Sequence, residues 1–310
     1  MVEKKNCERT TNMATHRKKF YVISFDLETT GRNVRIDTIC EFGFAMYLFD
    51  FSIDAEKRTL LDLHVEELKP FHTYCKPSTA MHPEACEVHG LTEAFLSDKP
   101  LPNACFDRLQ EHLDQTLSDP SIPRVLLAYN GRSFDLPLVV HEAHRHRSDV
   151  IHYFRCWKIT MFIDVLLFNR QFLDPSKLLR KANGRCSYKL GDVYKALFAK
   201  TLVGAHGALE DSSAVVEIVK SEHCRDMFLK VLMAGEWDNG TGEDCCFNLM
   251  VEVRKIGQSG TSKRKRSTAE FFAKRPRLAA TTAPSTTCLP LLRKEHDEDG
   301  QTKKKVDEPV

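Results

Sequence analysis

The sequence contains no long hydrophobic run, no regular cysteine pattern and no internal repeat. No apolar stretch approaches the ~18 residues that a membrane-spanning helix requires, so we expect no membrane span. The amino-terminal segment MVEKKNCERTTN is hydrophilic and does not resemble a secretory signal. The 11 cysteines follow no disulfide framework, so we expect reduced thiols and an intracellular protein.

The charge is distributed unevenly along the 310 residues. The formal net charge is +2, yet the residues from Lys255 onward carry +6 and the residues before them carry −4. The last part is rich in Lys, Arg, Ser, Thr and Pro and has little periodicity, which is typical of disorder. We therefore expect a flexible basic leader at 1–18, a globular domain at 19–235, a linker or extension at 236–254 and a disordered basic tail at 255–310.

The segment FDLETTG places two carboxylates at the end of a predicted strand. Phe20 to Asp26 is an apolar run rich in β-branched and aromatic residues, which is typical of a buried strand. Side chains two residues apart on a strand share a face, so Asp26 and Glu28 converge. Like charges this close are unfavourable unless a cation lies between them. Oxygen ligands without Cys or His favour Mg²⁺ or Mn²⁺ over zinc.

Two further acids and a histidine occur in helical contexts. Apolar residues at helical spacing follow the turn Asn130-Gly131 and place Asp135 in the first turn of a helix. A similar pattern in AHGALEDSSAVVEIVK places Asp211 near the start of another helix. His206 and Asp211 would lie about 140° apart around a helix, so we expect His206 on the preceding loop.

Three motifs in this order, FDLETTG, NGRSFD and HGALED, resemble the DEDDh class of 3′-to-5′ exonucleases. This class belongs to the ribonuclease H-like superfamily and includes DnaQ-like and TREX-type enzymes. The spacing of four residues between His206 and Asp211 distinguishes it from relatives that use tyrosine. Two further stretches, HPEACEVHGLT and SYKLGDVYKALF, agree with the resemblance, which covers about Lys19 to Met233.

The resemblance implies an α/β fold in which a mixed five-stranded sheet is flanked by helices. The residue patterns agree with three antiparallel strands followed by strands that alternate with helices. Beyond the first strand, we predict strands near Thr38–Leu48, Val65–Tyr74 and Arg124–Tyr129. We predict helices near Asn103–Leu117, Phe134–Arg145, Leu190–Phe198, Leu209–Lys220 and Glu222–Met233.

The resemblance also implies a role for each acidic side chain. Asp26 would bridge two divalent cations, Glu28 and Asp211 would complete the first cation site, and Asp135 would hold the second cation. Two cations ~3.5 to 4 Å apart would stabilise the attacking and the leaving oxygen of an in-line displacement. His206 would accept a proton from the attacking water, since histidine exchanges protons near neutral pH. The product would be a nucleoside 5′-monophosphate.

The resemblance implies substrate contacts as well. Thr29 and Thr30 would lie beside the terminal 3′-hydroxyl, and Asn130 and Phe134 would flank the scissile phosphate. Val88 and Leu91 would wedge against the terminal bases, which tolerates differences in base sequence. Arg32 departs from the apolar residue that TREX-type enzymes have there, which places the base wedge in doubt.

One segment offers a competing metal site. The stretch HTYCKPSTAMHPEACEVHG contains three histidines and two cysteines: His72, Cys75, His82, Cys86 and His89. It lacks the CxxC pairs that usually hold structural zinc. We therefore favour a loop and a short helix that close one edge of the cleft.

The sequence of the tail contains short segments that suggest a location and binding partners for the protein. The basic clusters Lys263–Arg266 and Lys274–Arg277 resemble a nuclear localisation signal. Phe271-Phe272, followed by basic residues, resembles a sliding-clamp-binding peptide that lacks the usual Gln and aliphatic residue. The positive tail would also attract nucleic acid over a long range. A homodimer is a further arrangement that the TREX-type resemblance allows.

The sequence leaves several functions open. The first is a DNA exonuclease that acts on single-stranded or frayed 3′ ends in repair, proofreading or degradation. An exoribonuclease is the main alternative, because no motif reads the 2′-hydroxyl. A binding or scaffold protein without catalysis is disfavoured by the complete set of acids and the histidine.

Overall fold

The computed structural model describes residues 15–54, 56, 59–146, 150–237 and 245–259. The chain separates into two units, residues 1–264 and 265–310, and all described residues belong to the first unit. The first 14 residues of the leader, the two basic clusters and the Phe271-Phe272 segment lie outside the described residues. Among the described helices, none is long and apolar enough to span a membrane.

The first strand, β1 (Thr15–Thr29), separates two hydrophobic cores. Its side chains alternate between the faces of the sheet. Phe20 and Val22 are buried in one core, and Ile23 and Phe25 are buried in the other. Continued to the end of the strand, this alternation places Asp26 and Glu28 on the face of Phe20 and Val22.

The sheet contains six strands in the order β3-β2-β1-β4-β5-β6. The remaining strands are β2 (Ile39–Asp54), β3 (Leu60–Tyr74), β4 (Arg124–Ala128), β5 (Ile159–Asp164) and β6 (Cys246–Asn248). β1 pairs antiparallel with β2 and parallel with β4. β4 and β5 are parallel, whereas β2–β3 and β5–β6 are antiparallel. The mixed α/β sheet is therefore confirmed, with six strands instead of the expected five.

Ten α-helices are found among the described residues. Those whose buried residues join the core of Ile23 are α3 (Pro102–Thr116), α4 (Asp135–Arg145), α5 (Val150–Cys156) and α10 (Leu249–Ser259). Those joining the core of Phe20 are α6 (Val165–Phe172), α7 (Leu190–Phe198), α8 (Ala208–Lys220) and α9 (Arg225–Trp237). Two short helices, α1 (Pro83–His89) and α2 (Glu93–Leu96), follow β3. The sheet is thus covered on both faces, as the resemblance implies.

The predicted helices agree well with α3, α4, α7, α8 and α9. The bounds of α7 are as predicted, and Asp135 is the first residue of α4. The first three strands are longer than predicted, because the paired hairpins continue beyond the most apolar residues. β5 was not predicted, although ITMFID is an apolar run typical of a buried strand.

The segment expected to be a linker contributes to the sheet and to a core. β6 pairs with the edge of β5, and α10 packs against α4 and α5. Leu249 and Val253 of α10 are buried in the core of Ile23. α10 ends at Ser259, within the region predicted as tail. The sequence analysis gave a linker or extension here and predicted no strand or helix within it, although residues 245–253 are mostly apolar.

Leu249→Ala should destabilise the protein by about 2–5 kcal/mol, because the side chain is buried and its removal leaves a cavity. Chemical denaturation measures this difference. The control is Val251→Ala in the same helix, where the side chain is 42% exposed and the expected change is within about 0.5 kcal/mol. Equal, small effects of both substitutions would mean that α10 does not belong to the core.

Candidate active site

Three carboxylates from two elements meet at the end of β1. One carboxylate oxygen from each of Asp26, Glu28 and Asp211 lies within 4.8 Å of the other two. Asp26 and Glu28 come from β1, and Asp211 comes from the first turn of α8. α8 packs on the sheet through Val215, whose core lies on the face to which Asp26 and Glu28 belong. The two acids of β1 and the acid of α8, far apart in sequence, therefore share one side of the sheet.

Gly43 allows α8 to approach the sheet closely. This glycine lies on β2 directly opposite Asp26. A Cβ atom there would overlap the carbonyl group of Ala208 and the backbone nitrogen of Leu209. The start of α8 therefore rests on the backbone of β2, and this close packing places Asp211 beside β1. The sequence analysis did not identify Gly43, although a glycine inside an apolar strand signals close backbone approach.

Asp135 reaches the site from the other helix layer. It is buried at the start of α4, and the negative charge of Asp135 contributes to raising the pKa of Asp26. A backbone hydrogen bond from Leu27 also connects Asp135 to β1. The end of β1 thus lies between an acid from α8 and an acid from α4. Asp135 is not part of the group within 4.8 Å.

Asp164 fixes the loop that leads to Asp135. Its Oδ1 accepts a hydrogen bond from the Asn130 N–H at 3.2 Å, and its Oδ2 accepts one from the Arg132 N–H at 3.1 Å. The same carboxylate caps α6 by accepting from the N–H groups of Leu166 and Leu167. Sequence reasoning missed this buried residue. The sequence does signal its role, because an aspartate between an apolar strand and a helix is a typical N-cap residue.

Burial and like charge raise the pKa values of the acids. Burial raises the pKa of Asp135 to about 7 and that of Asp211 to about 6. The pKa of Asp26 is raised well above its usual value, first by burial and then by the charges of Asp135 and Glu28. Each shift means that the ionised carboxylate is disfavoured without a compensating positive charge.

The residues present fit a divalent cation. The donors of the three-acid group are all carboxylate oxygens, which suit hard cations such as Mg²⁺ and Mn²⁺. Oδ1 of Asp211 is buried and has no hydrogen-bond partner among the described residues. An unpartnered buried carboxylate oxygen is costly, and a cation at the site would supply the missing interaction.

Glu41 is a further carboxylate that the sequence analysis missed. It lies opposite Glu28 on β2, and its side chain is 0% exposed. Oε1 is 2.7 Å from Nε2 of His72, whereas Oε2 has no partner among the described residues. Its negative charge raises the pKa values of Asp26 and Asp211. Glu41 therefore adds to the negative potential at the three-acid group.

His206 lies on the loop before α8, which confirms the predicted loop position. It adopts a left-handed backbone conformation with φ 69° and is exposed to solvent. Its backbone N–H donates to Oδ2 of Asp211 at 3.3 Å. This hydrogen bond ties the loop to the acid and leaves the imidazole on the solvent side.

A family model described as exonuclease matches residues 23–219 of this chain. The chain belongs to the exonuclease family. Its motifs and its mixed sheet flanked by helices are those of a DEDDh-type 3′-to-5′ exonuclease of the ribonuclease H-like superfamily.

Known relatives agree with this membership. The DNA polymerase III subunit epsilon of Salmonella typhimurium is 28% identical over 174 residues, which is 56% of this chain and 63% of the relative. The same subunit of Rickettsia conorii is 27% identical over 199 residues, 63% of this chain and 70% of the relative. The chain thus spans less than two thirds of the length of the Salmonella protein.

Solved structures show the same fold. The structure of Escherichia coli exonuclease I in complex with a dT13 oligonucleotide superposes with a TM-score of 0.51 and 19% identity. The match covers 69% of this chain and 44% of that chain.

The expected substrate contacts of this exonuclease differ in exposure. Val88 is 42% exposed, whereas Leu91 is 5% exposed and packs with Cys40 and Leu96. Leu91 is therefore buried in this structure, and its contact with the terminal bases stays a prediction. Asn130 is exposed, with φ 65°. Phe134 is partly buried against the core of α4.

The two threonines after Glu28 are buried. The hydroxyl of Thr29 donates to the carbonyl of Gly31 at 2.6 Å. The hydroxyl of Thr30 lies 2.9 Å from that of Thr79. Their side chains thus stabilise the turn after β1, and contact with a 3′-hydroxyl stays a prediction.

The alternative zinc stretch forms no shared site among the described residues. Nε2 of His72 bonds Glu41, that of His82 lies 3.4 Å from Asp37, and that of His89 lies 3.1 Å from the carbonyl of Thr29. These partners differ, so the histidines do not converge. The segment forms the end of β3, a loop and the short helix α1, in agreement with the interpretation as a loop and short helix.

Gly43→Ala should displace α8, since the added methyl group overlaps the backbone of Ala208. We expect a loss of about 1–3 kcal/mol from overpacking and a smaller increase in melting temperature on addition of Mg²⁺. The control is Gly191→Ala, because no heavy atom lies within 4 Å of that position. If both variants retain the Mg²⁺ response of the parent, the close approach does not position Asp211.

The metal-free protein should lose stability as the pH rises. Asp135 and Asp211, with pKa values of about 7 and about 6, bind protons more tightly when folded than when unfolded, where aspartate has a pKa of about 3.9. Their stabilising contribution is complete below about pH 4 and is lost as the pH passes 6 and then 7. The melting temperature in EDTA between about pH 5 and 8 measures this loss.

Saturating Mg²⁺ should reduce that pH dependence, because the cation compensates the ionised carboxylates. Asp135→Asn combined with Asp211→Asn provides the matched control, and its melting temperature in EDTA should depend less on pH than that of the parent. A parent protein that gains stability over the same range would contradict the expected titration.

Proposed function

We propose that this protein is a divalent-metal-dependent 3′-to-5′ exonuclease that hydrolyses phosphodiester bonds at DNA 3′ ends and releases nucleoside 5′-monophosphates. The observation that carries the proposal is the group of carboxylates from Asp26, Glu28 and Asp211 within 4.8 Å of one another. Buried acids that repel one another in this way are typical of catalytic centres. Asp135, whose charge acts on Asp26 from the opposite layer, extends the group toward a second cation.

The acids hold and orient the reacting groups in this proposal. Asp26, Glu28 and Asp211 would hold one divalent cation, Mg²⁺ or Mn²⁺, and Asp26 with Asp135 would hold another. Divalent cations bound there would supply charge stabilisation for the attacking and leaving oxygens of the phosphodiester. His206 would accept the proton of the attacking water from the solvent side of the site. The hydrogen bond from the His206 N–H to Asp211 supports this placement of the loop.

DNA is the proposed substrate because the similar proteins are DNA polymerase subunits and an exonuclease in complex with a DNA oligonucleotide. The relatives of known sequence include DNA polymerase III epsilon subunits. The exonuclease I structure contains a dT13 oligonucleotide. Since this chain spans only part of both proteins, its role in repair, proofreading or degradation is part of the proposal. The exposed Val88 is a proposed contact for the terminal bases, and the exposed Asn130 is a proposed contact for the scissile phosphate.

Nuclear entry, clamp binding and dimerisation remain predictions of the sequence. They rest on the two basic clusters, on Phe271-Phe272 and on the TREX-type resemblance, respectively. All three of these tail segments lie outside the described residues.

Asp211→Asn and His206→Ala should each lower Mg²⁺-dependent release of nucleotides by about 10²-fold or more, because a cation ligand or the proton acceptor is lost. The control is Glu217→Gln, an acid on the solvent side of α8 that pairs with Lys220. Its activity should equal that of the parent. Normal turnover by either of the first two variants would remove the proposed site.

The same assay measures the direction in which the strand is degraded and the preference for DNA or RNA. Single-stranded DNA labelled at its 5′ end should shorten from its 3′ end, and matched RNA should be degraded more slowly. Faster degradation of RNA would favour the exoribonuclease alternative. No degradation of either substrate by the parent protein would contradict the proposed function.

A further inference from the structure

Arg132 lies on the loop three residues before Asp135, and the proposed mechanism does not use it. Its Nε donates to Oε2 of Glu252 in α10 at 3.0 Å, and its guanidinium carbon lies 4.2 Å from the ring centre of Phe247 in β6. We call β6 and α10 together the β6–α10 extension. Both partners of Arg132 therefore come from this extension, which lies beyond the residues 23–219 that match the exonuclease family.

The loop that carries Asp135 is not held in place by its own sequence. Asn130 adopts the left-handed conformation with φ 65°, which is uncommon outside glycine. α4 begins at Asp135, and its N-cap residue is Phe134, whose side chain has no oxygen to accept hydrogen bonds from the first turn. Contacts with other parts of the chain must therefore fix the conformation of this loop.

β5 and β6 support the backbone of the loop. Asp164, the last residue of β5, accepts a hydrogen bond from the N–H of Arg132 at 3.1 Å. A Cβ atom at Gly131 would lie 3.3 Å from the ring of Phe162 in β5, so the loop lies against this ring. Phe162 is opposite Phe247 of β6, and their ring centres are 6.3 Å apart. Phe247 thus contacts both the ring beneath the loop and the side chain of Arg132.

Glu252 is a buried acceptor for Arg132, since its side chain is only 7% exposed. Burial disfavours its negative charge, yet hydrogen bonds from Lys255 and Arg132 hold the pKa of the carboxyl below its usual value. The carboxylate is therefore ionised at neutral pH and holds Arg132 by a charge-assisted hydrogen bond. The ring of Phe247 adds a second restraint, because a planar guanidinium stacks on aromatic faces.

We propose that Arg132 is a positioning residue through which the β6–α10 extension sets the position of Asp135 and the affinity of the site for the second divalent cation. The inference rests on the proposed function, in which Asp26 and Asp135 hold that cation. Arg132 acts through the loop and not by contact with the substrate. An ion pair that only stabilised the fold would leave the binding of cations to the folded protein unchanged.

The second cation is the one that should respond. Asp135 lies outside the group of three acids within 4.8 Å, so the first cation site does not depend on the loop. Mg²⁺ demands near-ideal octahedral geometry, and a displaced carboxylate does not provide it. Groups that orient a metal ligand typically change metal affinity by about 10- to 100-fold.

The test removes Glu252 and leaves the acids of the site intact. The full-length variant Glu252→Ala is compared with Lys255→Ala, which removes the other donor to Glu252, at 2.7 Å on the same helix. Mn²⁺ binding is measured by isothermal titration calorimetry without substrate, and exchange of the Arg132 amide hydrogen is measured by NMR. The Mg²⁺ concentration for half-maximal nucleotide release is measured on single-stranded DNA.

Glu252→Ala should weaken the second Mn²⁺ site by about 10-fold or more, whereas the first site should keep the affinity of the parent. The Arg132 amide hydrogen should exchange faster. Half-maximal release should require more Mg²⁺, with kcat at saturating Mg²⁺ close to that of the parent. Lys255→Ala should match the parent in all three measurements. Arg132→Gln should reproduce the effects of Glu252→Ala, and Arg132→Lys should restore part of the affinity because it keeps the charge.

Three results would overturn the inference: unchanged Mn²⁺ affinities in Glu252→Ala, an equal loss in Lys255→Ala, or a single Mn²⁺ site in the parent. If Glu252→Ala does not fold, Arg132→Gln decides, because the side chain of Arg132 is 41% exposed and Glu252 keeps Lys255 as a partner. A parent that binds two Mn²⁺ ions but releases no nucleotides would contradict the proposed function and not the positioning by Arg132.

Discussion

The mutual repulsion of partly buried carboxylates at the end of β1 is the interaction on which the rest of the structure depends. Asp26 experiences the negative charges of Asp135, Glu28, Asp211 and Glu41. Bringing like charges together out of water is unfavourable, so other parts of the protein must hold them. Two hydrophobic cores on opposite faces of the sheet provide that support. Divalent cations bound at the site would compensate this negative charge.

The two helix layers contribute different acids to one edge of the sheet. Asp211 comes from α8 on one face, and Asp135 comes from α4 on the other. They meet because β1, β4 and β5 are parallel and their carboxyl ends lie at the same edge. Ligands of open α/β sheets commonly bind at this edge. Close packing at Gly43 and the hydrogen bonds of Asp164 set the final positions.

The segment after α9, which contains β6 and α10, contacts the loop at this edge of the sheet. The guanidinium of Arg132 donates to Glu252 of α10 at 3.0 Å and lies 4.2 Å from the ring centre of Phe247 in β6. Arg132 belongs to the loop that carries Asp135. β6 and α10 therefore stabilise the loop through the side chain of Arg132. Asp164 stabilises the same loop through the backbone N–H groups of Asn130 and Arg132.

The sequence by itself determined the acids, the family and most helices, because these depend on local pattern. Asp26 and Glu28 share a face through the two-residue repeat of a strand, and the helices of Asp135 and Asp211 follow from their apolar spacing. What only the tertiary structure decided depends on contacts between distant residues. The addition of β6 and α10, the burial of Leu91 and the proximity of Glu41 to the site have no local signature. Sequence periodicity shows which face of a helix or strand is apolar, whereas packing decides which helices and strands contact each other. The negative charge at the site depends on that packing, because the packing brings the acids together.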